Sequence, residues 1–364
     1  MVVTRRIRKQ ERGGSLTECL AELLLFVKKP RFWLRWLLIL GLSGGAALLG
    51  FIWWWLPGTH RTGRIITLPT RYDGDRFYVE PITSLGIKLS LLTDTGGGLF
   101  LTQGAVERCG LSPNRLLGQK RVRLPRFRFD AWIPEPTGGE HWFPVVDGEG
   151  DGMLGQRWFA GGVWTFDYAN HKLILQPQPF VPTQAMRQHT VELGFRKEWG
   201  MRTANHPHFA VRIDGETVDC LLDTGATVWL SPEALMMVDD SGPSERATSF
   251  LAANLYDRWQ KAHPQWRVIE KGCQRTGASM IEIPVVEVSQ TAIGPVWFTR
   301  REEGNFIWMS SFMDKPIRAS LGGNALRNFC VTIDYPGAKA YFEKAPAPGD
   351  TRTKPVSSEA QPSK

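Results

Sequence analysis

Leu91-Leu92-Thr93-Asp94-Thr95-Gly96 and Leu221-Leu222-Asp223-Thr224-Gly225 are two versions of one phrase, an apolar run that ends on Asp-Thr-Gly. One such tripeptide in 364 residues says little, since chance supplies it at roughly the few-percent level. Two say much more when each is followed by the same second pattern. The stretch 154–175 aligns without a gap to 321–342. Leu154-Gly155 falls on Leu321-Gly322, Thr165-Phe166-Asp167-Tyr168 on Thr332-Ile333-Asp334-Tyr335, and Lys172 on Lys339. The chain therefore holds two copies of one unit, each running from Asp-Thr-Gly through an apolar-Gly step to a closing strand pair.

These motifs resemble those of the aspartic protease superfamily, the pepsin and retropepsin group, over about residues 72–345. The closing Asp-Tyr and Lys hairpin is most similar to the bacterial retropepsin-like branch. The resemblance implies a mostly β, bilobal fold with the active site between two pseudo-symmetric lobes. It implies Asp94 and Asp223 as the catalytic pair. Thr95 and Thr224 would bond across the lobe interface, and Gly96 and Gly225 would let the backbone fold closely around the carboxylates. Two carboxylates this close cannot both ionise cheaply, so they share a proton. One activates a water as base while the other holds a proton for the substrate carbonyl. That chemistry needs a peptide or protein substrate, no cofactor and no metal. With both tripeptides in one chain, no homodimer is required to build the site. The alternative is a non-catalytic module that uses the same cleft to bind a peptide or partner protein.

The residue after each tripeptide is Gly97 or Ala226, where pepsin-like enzymes place Ser or Thr. Without a hydroxyl donor to the charged form, the pair should titrate higher, with an activity optimum at roughly pH 4.5 to 6.5.

Residues 1–35 form a basic segment, in which nine Lys/Arg stand against three Glu, a surplus of six out of the chain's total of +8. Residues 36–56 follow as 21 positions without a charge, about 31 Å as a helix, flanked by Trp33, Trp36 and Trp53-Trp54-Trp55. This reads as an uncleaved transmembrane helix with a cytoplasmic N-terminus and an extracytoplasmic, periplasmic catalytic domain. A cleaved signal peptide is the competing reading, disfavoured because no small-x-small site follows. The basic balance belongs to this anchor, and nothing supports nucleic-acid binding.

A linker at 57–71 leads into lobe one at 72–180, a connection at 181–206, and lobe two at 207–345 with an insertion about 240–315; a disordered tail covers 346–364. Alternating strands are expected at 87–92, 209–213 and 217–222, with a hairpin turn at Asp214-Gly215. Short helices are expected at 102–109 and from Ser231-Pro232-Glu233, and a helix at 250–261. The flap candidate of lobe one is the turn Pro136-Thr137-Gly138-Gly139, between Trp132 and Trp142-Phe143; lobe two offers 272–281 less clearly. His206 and His208 read as surface histidines, Asp147, Glu149 and Asp151 as a solvated turn, and Asp167 and Asp334 as structural hairpin acids. Cys109, Cys220, Cys273 and Cys330 leave open three disulfide pairings or buried thiols.

Overall fold

The structure is a computed structural model, and it describes residues 63–116, 118–136, 141–238 and 241–345. The span at 36–56, the tail at 346–364 and the flap turn at Thr137, Gly138 and Gly139 lie outside the described residues. Among the described residues no helix is long and apolar enough to cross a membrane.

Short strands of alternating burial dominate, as period-two patterning dictates. One sheet has eight strands. In spatial order they are Thr70–Asp73, Arg76–Val79, Leu91–Thr93, Gly152–Leu154, Phe100–Thr102, Phe143–Val146, Gln119–Val122 and Asn114–Leu116. A second has nine, in the order Thr291–Ile293, Val286–Val288, His208–Ile213, Glu216–Leu222, Ala319–Leu321, Ser249–Ala252, Val296–Arg301, Met280–Ile283 and Val268–Ile269. From Arg76–Val79 in one and His208–Ile213 in the other, seven successive places carry the same pairing directions. The duplication seen in the motifs thus extends to seven successive strands of each sheet.

A six-stranded sheet takes strands from both halves. At its middle Val163–Asp167 runs antiparallel to Phe329–Asp334, with Thr165 opposite Thr332. These two are equivalent positions of the repeat, and their Oγ1 atoms are 2.7 Å apart in a buried hydrogen bond. Gln176 Nε2 donates to the same Thr165 hydroxyl at 2.8 Å, so the polar pair is satisfied inside the core. Trp158, Phe159, Trp164 and Phe166 bury fully around it, with the rings of Trp158 and Trp164 4.4 Å apart. Each such side chain contributes about 1.5–3 kcal/mol of transfer free energy.

The halves also lock through a hairpin tip. Arg76, almost fully buried, donates from Nη1 to Glu245 at 2.7 Å and from Nη2 to the Glu245 carbonyl at 3.0 Å. Beside it Ala247 N–H donates to the Gly74 carbonyl at 2.7 Å, and Arg327 pairs with Asp75 at 2.9 Å.

Several expectations need correction. The strand expected at 87–92 begins only at Leu91, because its earlier residues turn back to make an isolated bridge, Ile82 to Lys88. The helix expected at 250–261 is Ala253–Ala262, with Ser249–Ala252 drawn into the sheet by two neighbouring strands. Of the alternatives left open for Cys109, Cys220, Cys273 and Cys330, the structure has the unpaired thiols. His208 is no surface residue: it is 3% exposed, with Asp219 3.2 Å from Nε2 and Asp314 2.9 Å from Nδ1. Asp151 is not a free loop acid either. Its carboxylate accepts from Ser90 N–H at 2.8 Å and pairs with Arg108 at 2.6 Å.

Candidate active site

Each Asp-Thr-Gly ends a strand that is clamped on both edges. Leu91–Thr93 pairs with Arg76–Val79 and, in parallel, with Gly152–Leu154; Glu216–Leu222 pairs with His208–Ile213 and, in parallel, with Ala319–Leu321. The chain leaves the sheet there in matching turns. Asp94 N–H donates to the Leu154 carbonyl at 3.0 Å and Asp223 N–H to the Leu321 carbonyl at 3.1 Å. Gly97 N–H then closes on the Asp94 carbonyl at 3.1 Å, and Ala226 N–H on the Asp223 carbonyl at 3.3 Å.

The repeated Leu-Gly step explains itself at this point. A Cβ on Gly155 would sit 1.9 Å from the Gly98 carbonyl oxygen, and one on Gly322 would sit 1.8 Å from that of Thr248. Only glycine lets the chain pass so close, at Gly155 beneath the catalytic loop itself and at Gly322 beneath Thr248, whose N–H donates to the Ala226 carbonyl at 3.0 Å.

The threonines join the loops reciprocally. Thr95 N–H donates to Thr224 Oγ1 at 3.1 Å and Thr224 N–H to Thr95 Oγ1 at 3.1 Å. Thr95 Oγ1 donates onward to the Leu222 carbonyl at 2.6 Å, and Thr224 Oγ1 to the Thr93 carbonyl at 3.2 Å. Both N–H groups and both hydroxyls of this buried lock are paired, so it fixes one arrangement. The glycines complete it: a Cβ on Gly96 would lie 2.9 Å from Asp223 Cγ, and one on Gly225 would lie 2.2 Å from Asp94 Cγ.

The two carboxyl groups therefore meet, within hydrogen-bonding reach of each other. They keep 9% and 7% exposure, enough for one side to remain open to a small reactant. Burial raises Asp94 well above the usual carboxylate range, and the charge of Asp223 raises it further, against the pull of its bond from Gly96 N–H at 2.9 Å. Burial raises Asp223 too, but the Arg301 charge opposes that rise. The Ser320 hydroxyl also opposes it, standing close without closing a well-formed bond in this rotamer. The repeat places Met153 where lobe two has Ser320, and the Met153 thioether lies against Gly97. The surroundings of the pair are thus asymmetric, with the Arg301 charge and the Ser320 hydroxyl on the Asp223 side.

The structure brings together Asp94, Thr95, Gly96, Asp223, Thr224 and Gly225. Asp167 and Asp334 stay apart in hairpin turns, accepting from Asn170 N–H at 3.1 Å and Gly337 N–H at 2.7 Å. The segment at 272–281 lies beside the lobe-two loop, with Gln274 N–H donating to the Trp229 carbonyl at 2.7 Å. Sequence reasoning missed Met153, Ser320 and Arg301, and read His206 as a surface histidine, which its burial against the site corrects. Met153 and Ser320 were legible in the repeat, one step before its aligned Leu-Gly. His206 and Arg301 carried no local signal. His206 abuts the Gly96 backbone, and burial pushes its imidazole down to about 4. Among the described residues no three His, Cys, Asp or Glu side chains are grouped to hold a metal ion.

No family model matches the chain, and no curated protein matches it. Among solved structures it is similar to the aspartic proteinase from Irpex lacteus, at 10% identity and a TM-score of 0.45, over 77% of this chain and 97% of that one. It is also similar to conglutin gamma, a basic 7S globulin from lupine seeds, at 10% identity and a TM-score of 0.40, over 78% of this chain and 95% of that one. The likeness is one of outline, and the chemistry of the site stands on its own geometry.

Proposed function

We propose that this chain is an aspartic-type endopeptidase. The observation that carries the reading is the pair of buried carboxyls, brought within reach of one proton by the reciprocal Thr95 and Thr224 bonds. Asp223, which the Arg301 charge favours in its ionised form, takes a proton from a water whose oxygen attacks the scissile carbonyl carbon. Asp94 gives its proton to the carbonyl oxygen, producing a neutral tetrahedral diol. Asp223 then passes its proton to the leaving nitrogen as the C–N bond breaks, and Asp94 recovers one from the diol. The pair ends in its starting state, and peptide bond plus water have become acid and amine.

The reading extends to a retropepsin-like enzyme anchored by residues 36–56 and acting outside the cytoplasm, supported by the uncharged run and the cationic surplus before it.

The test is turnover. The full-length protein is incubated with a diverse peptide mixture, beside Asp94→Asn and Asp223→Asn. Cleavage should fall by at least roughly a thousandfold in each variant, since one carboxyl cannot serve as both base and acid. Cleavage retained in either variant would defeat the mechanism. Peptide binding without cleavage in the parent would leave a binding module on the same cleft.

A further inference from the structure

On the lobe-two side of the carboxyl pair a cavity of about 580 Å³ opens between the strand Thr227–Trp229, the loop at 273–279 and the end of the strand Val296–Arg301. It lies close to the lobe-two catalytic loop. Thr227 follows Asp223 by four residues, and its Oγ1 donates to the Gly225 carbonyl at 2.8 Å. Phe250, on the cavity wall, belongs to the same apolar cluster as Ala226 and Leu221.

Three arginines line it: Arg275, Arg300 and Arg301. Arg300 is fully engaged, with Nε and Nη2 on the Asp257 carboxylate at 2.9 and 3.2 Å and Nη1 on Glu302 at 2.6 Å. That bond also occupies Glu302, the one acid of the lining.

Arg275 and Arg301 are held differently. The Arg275 guanidinium lies 3.4 Å over the Trp229 ring and that of Arg301 lies 3.9 Å over the Phe250 ring. Among the described residues no hydrogen bond engages either. The carboxylate nearest Arg275 is Glu149, at 3.9 Å and almost wholly exposed. A guanidinium stacked by its face is fixed in orientation while its donor edge stays open, the geometry that receives a planar carboxylate through two parallel bonds. Arg301 is close enough for its charge to act on Asp223, so a ligand seated here also reaches the reacting centre.

We infer that this cavity is a substrate subsite selective for an acidic side chain, with Arg275 and Arg301 as the specificity-determining pair. The identity of the ligand, an Asp or Glu of a bound peptide, rests on the proposed peptide-hydrolase reading. A cationic side chain would meet two fixed positive charges, and an apolar one would leave both donor edges without an acceptor.

The experiment uses the full-length protein and peptide sets that carry Glu, Gln or Lys at each position around a cleaved bond. Matching peptides with a hydroxyethylene group in place of the scissile amide report binding alone. At one position Glu should be favoured over Gln by roughly tenfold or more, with kcat/KM higher and Kd lower, and Lys poorest. Arg275→Gln and Arg301→Gln should each reduce the Glu-to-Gln ratio, and the double variant should bring it to near one. Because the ratio is internal to each variant, a general loss of activity cannot imitate this result. Preferential binding of Glu peptides that disappears in the double variant, without any cleavage, would uphold the subsite and remove the hydrolase reading. Cleavage with a ratio near one at every position, or a Glu preference that survives the double variant, would overturn the subsite.

Discussion

Asp94 and Asp223 sit folded in a place that disfavours their charge, and this has a thermodynamic sign. In the unfolded chain both titrate in the ordinary Asp range, while in the folded chain both titrate higher. Between those values the folded state holds a proton that the unfolded state has released. Stability therefore falls as pH rises through the folded value of Asp94, and the loss is complete above it. An amide suffers no such loss. Asp94→Asn should be more resistant to urea than the parent at pH 7, with the difference shrinking as pH falls into the ordinary Asp range; equal midpoints at both ends would contradict the assigned direction. Gly97 makes a second test at this scale. A Cβ there would meet Asp94 Oδ2 at 2.4 Å and the Met153 sulfur at 2.6 Å. Gly97→Ala should lower kcat/KM by roughly 10- to 100-fold by displacing the carboxyl, while peptide binding changes less. Both tripeptides were legible in the sequence because the chemistry is written in consecutive residues. Arg301 and His206 were not, since they reach the site from elements that only the folded sheet brings near.

Elements with local causes read well. Ser231 caps the helix Pro232–Val238 through its hydroxyl, which accepts from Ala234 N–H at 3.1 Å, and Thr102 caps Gln103–Arg108 in the same way at 3.2 Å. Both caps are visible as a hydroxyl residue placed before a short run. Elements whose limits depend on distant partners read less well. Ser249–Ala252 has helical neighbours in sequence, but strands on both sides claim its backbone. His208 looked like a surface residue because its two aspartates, Asp219 and Asp314, lie far along the chain. The hairpin tip at Arg76 tests how much one element contributes across the halves. Arg76→Ala would empty a buried site and release Glu245, and should cost about 2–3 kcal/mol in a denaturation experiment. An unchanged midpoint would mean that the seam holds without it.

The mostly β, duplicated architecture was legible at the scale of the whole chain, because an internal repeat with strand periodicity limits the fold to a repeated unit. The parallel pairings inside each sheet were not, because nothing in a strand's pattern names its neighbour. The proposed topology has its own test: a reporter that works only after export, fused behind Lys364, should be active, and a signal from a cytoplasmic reporter there would reverse the orientation. Burial raises Cys220 far up and pushes Cys330 to about 12, so neither is a reactive thiolate at neutral pH. Met153 occupies in one half the position that Ser320 holds in the other, so the two halves of the site are not copies. A site made from two identical chains must repeat every residue, and a ligand bound there can be turned end for end without penalty. Here the halves have drifted apart within one polypeptide, so the cleft has a direction. A palindromic inhibitor would find its two ends in unequal surroundings, and the stronger inhibitor should be one whose ends differ.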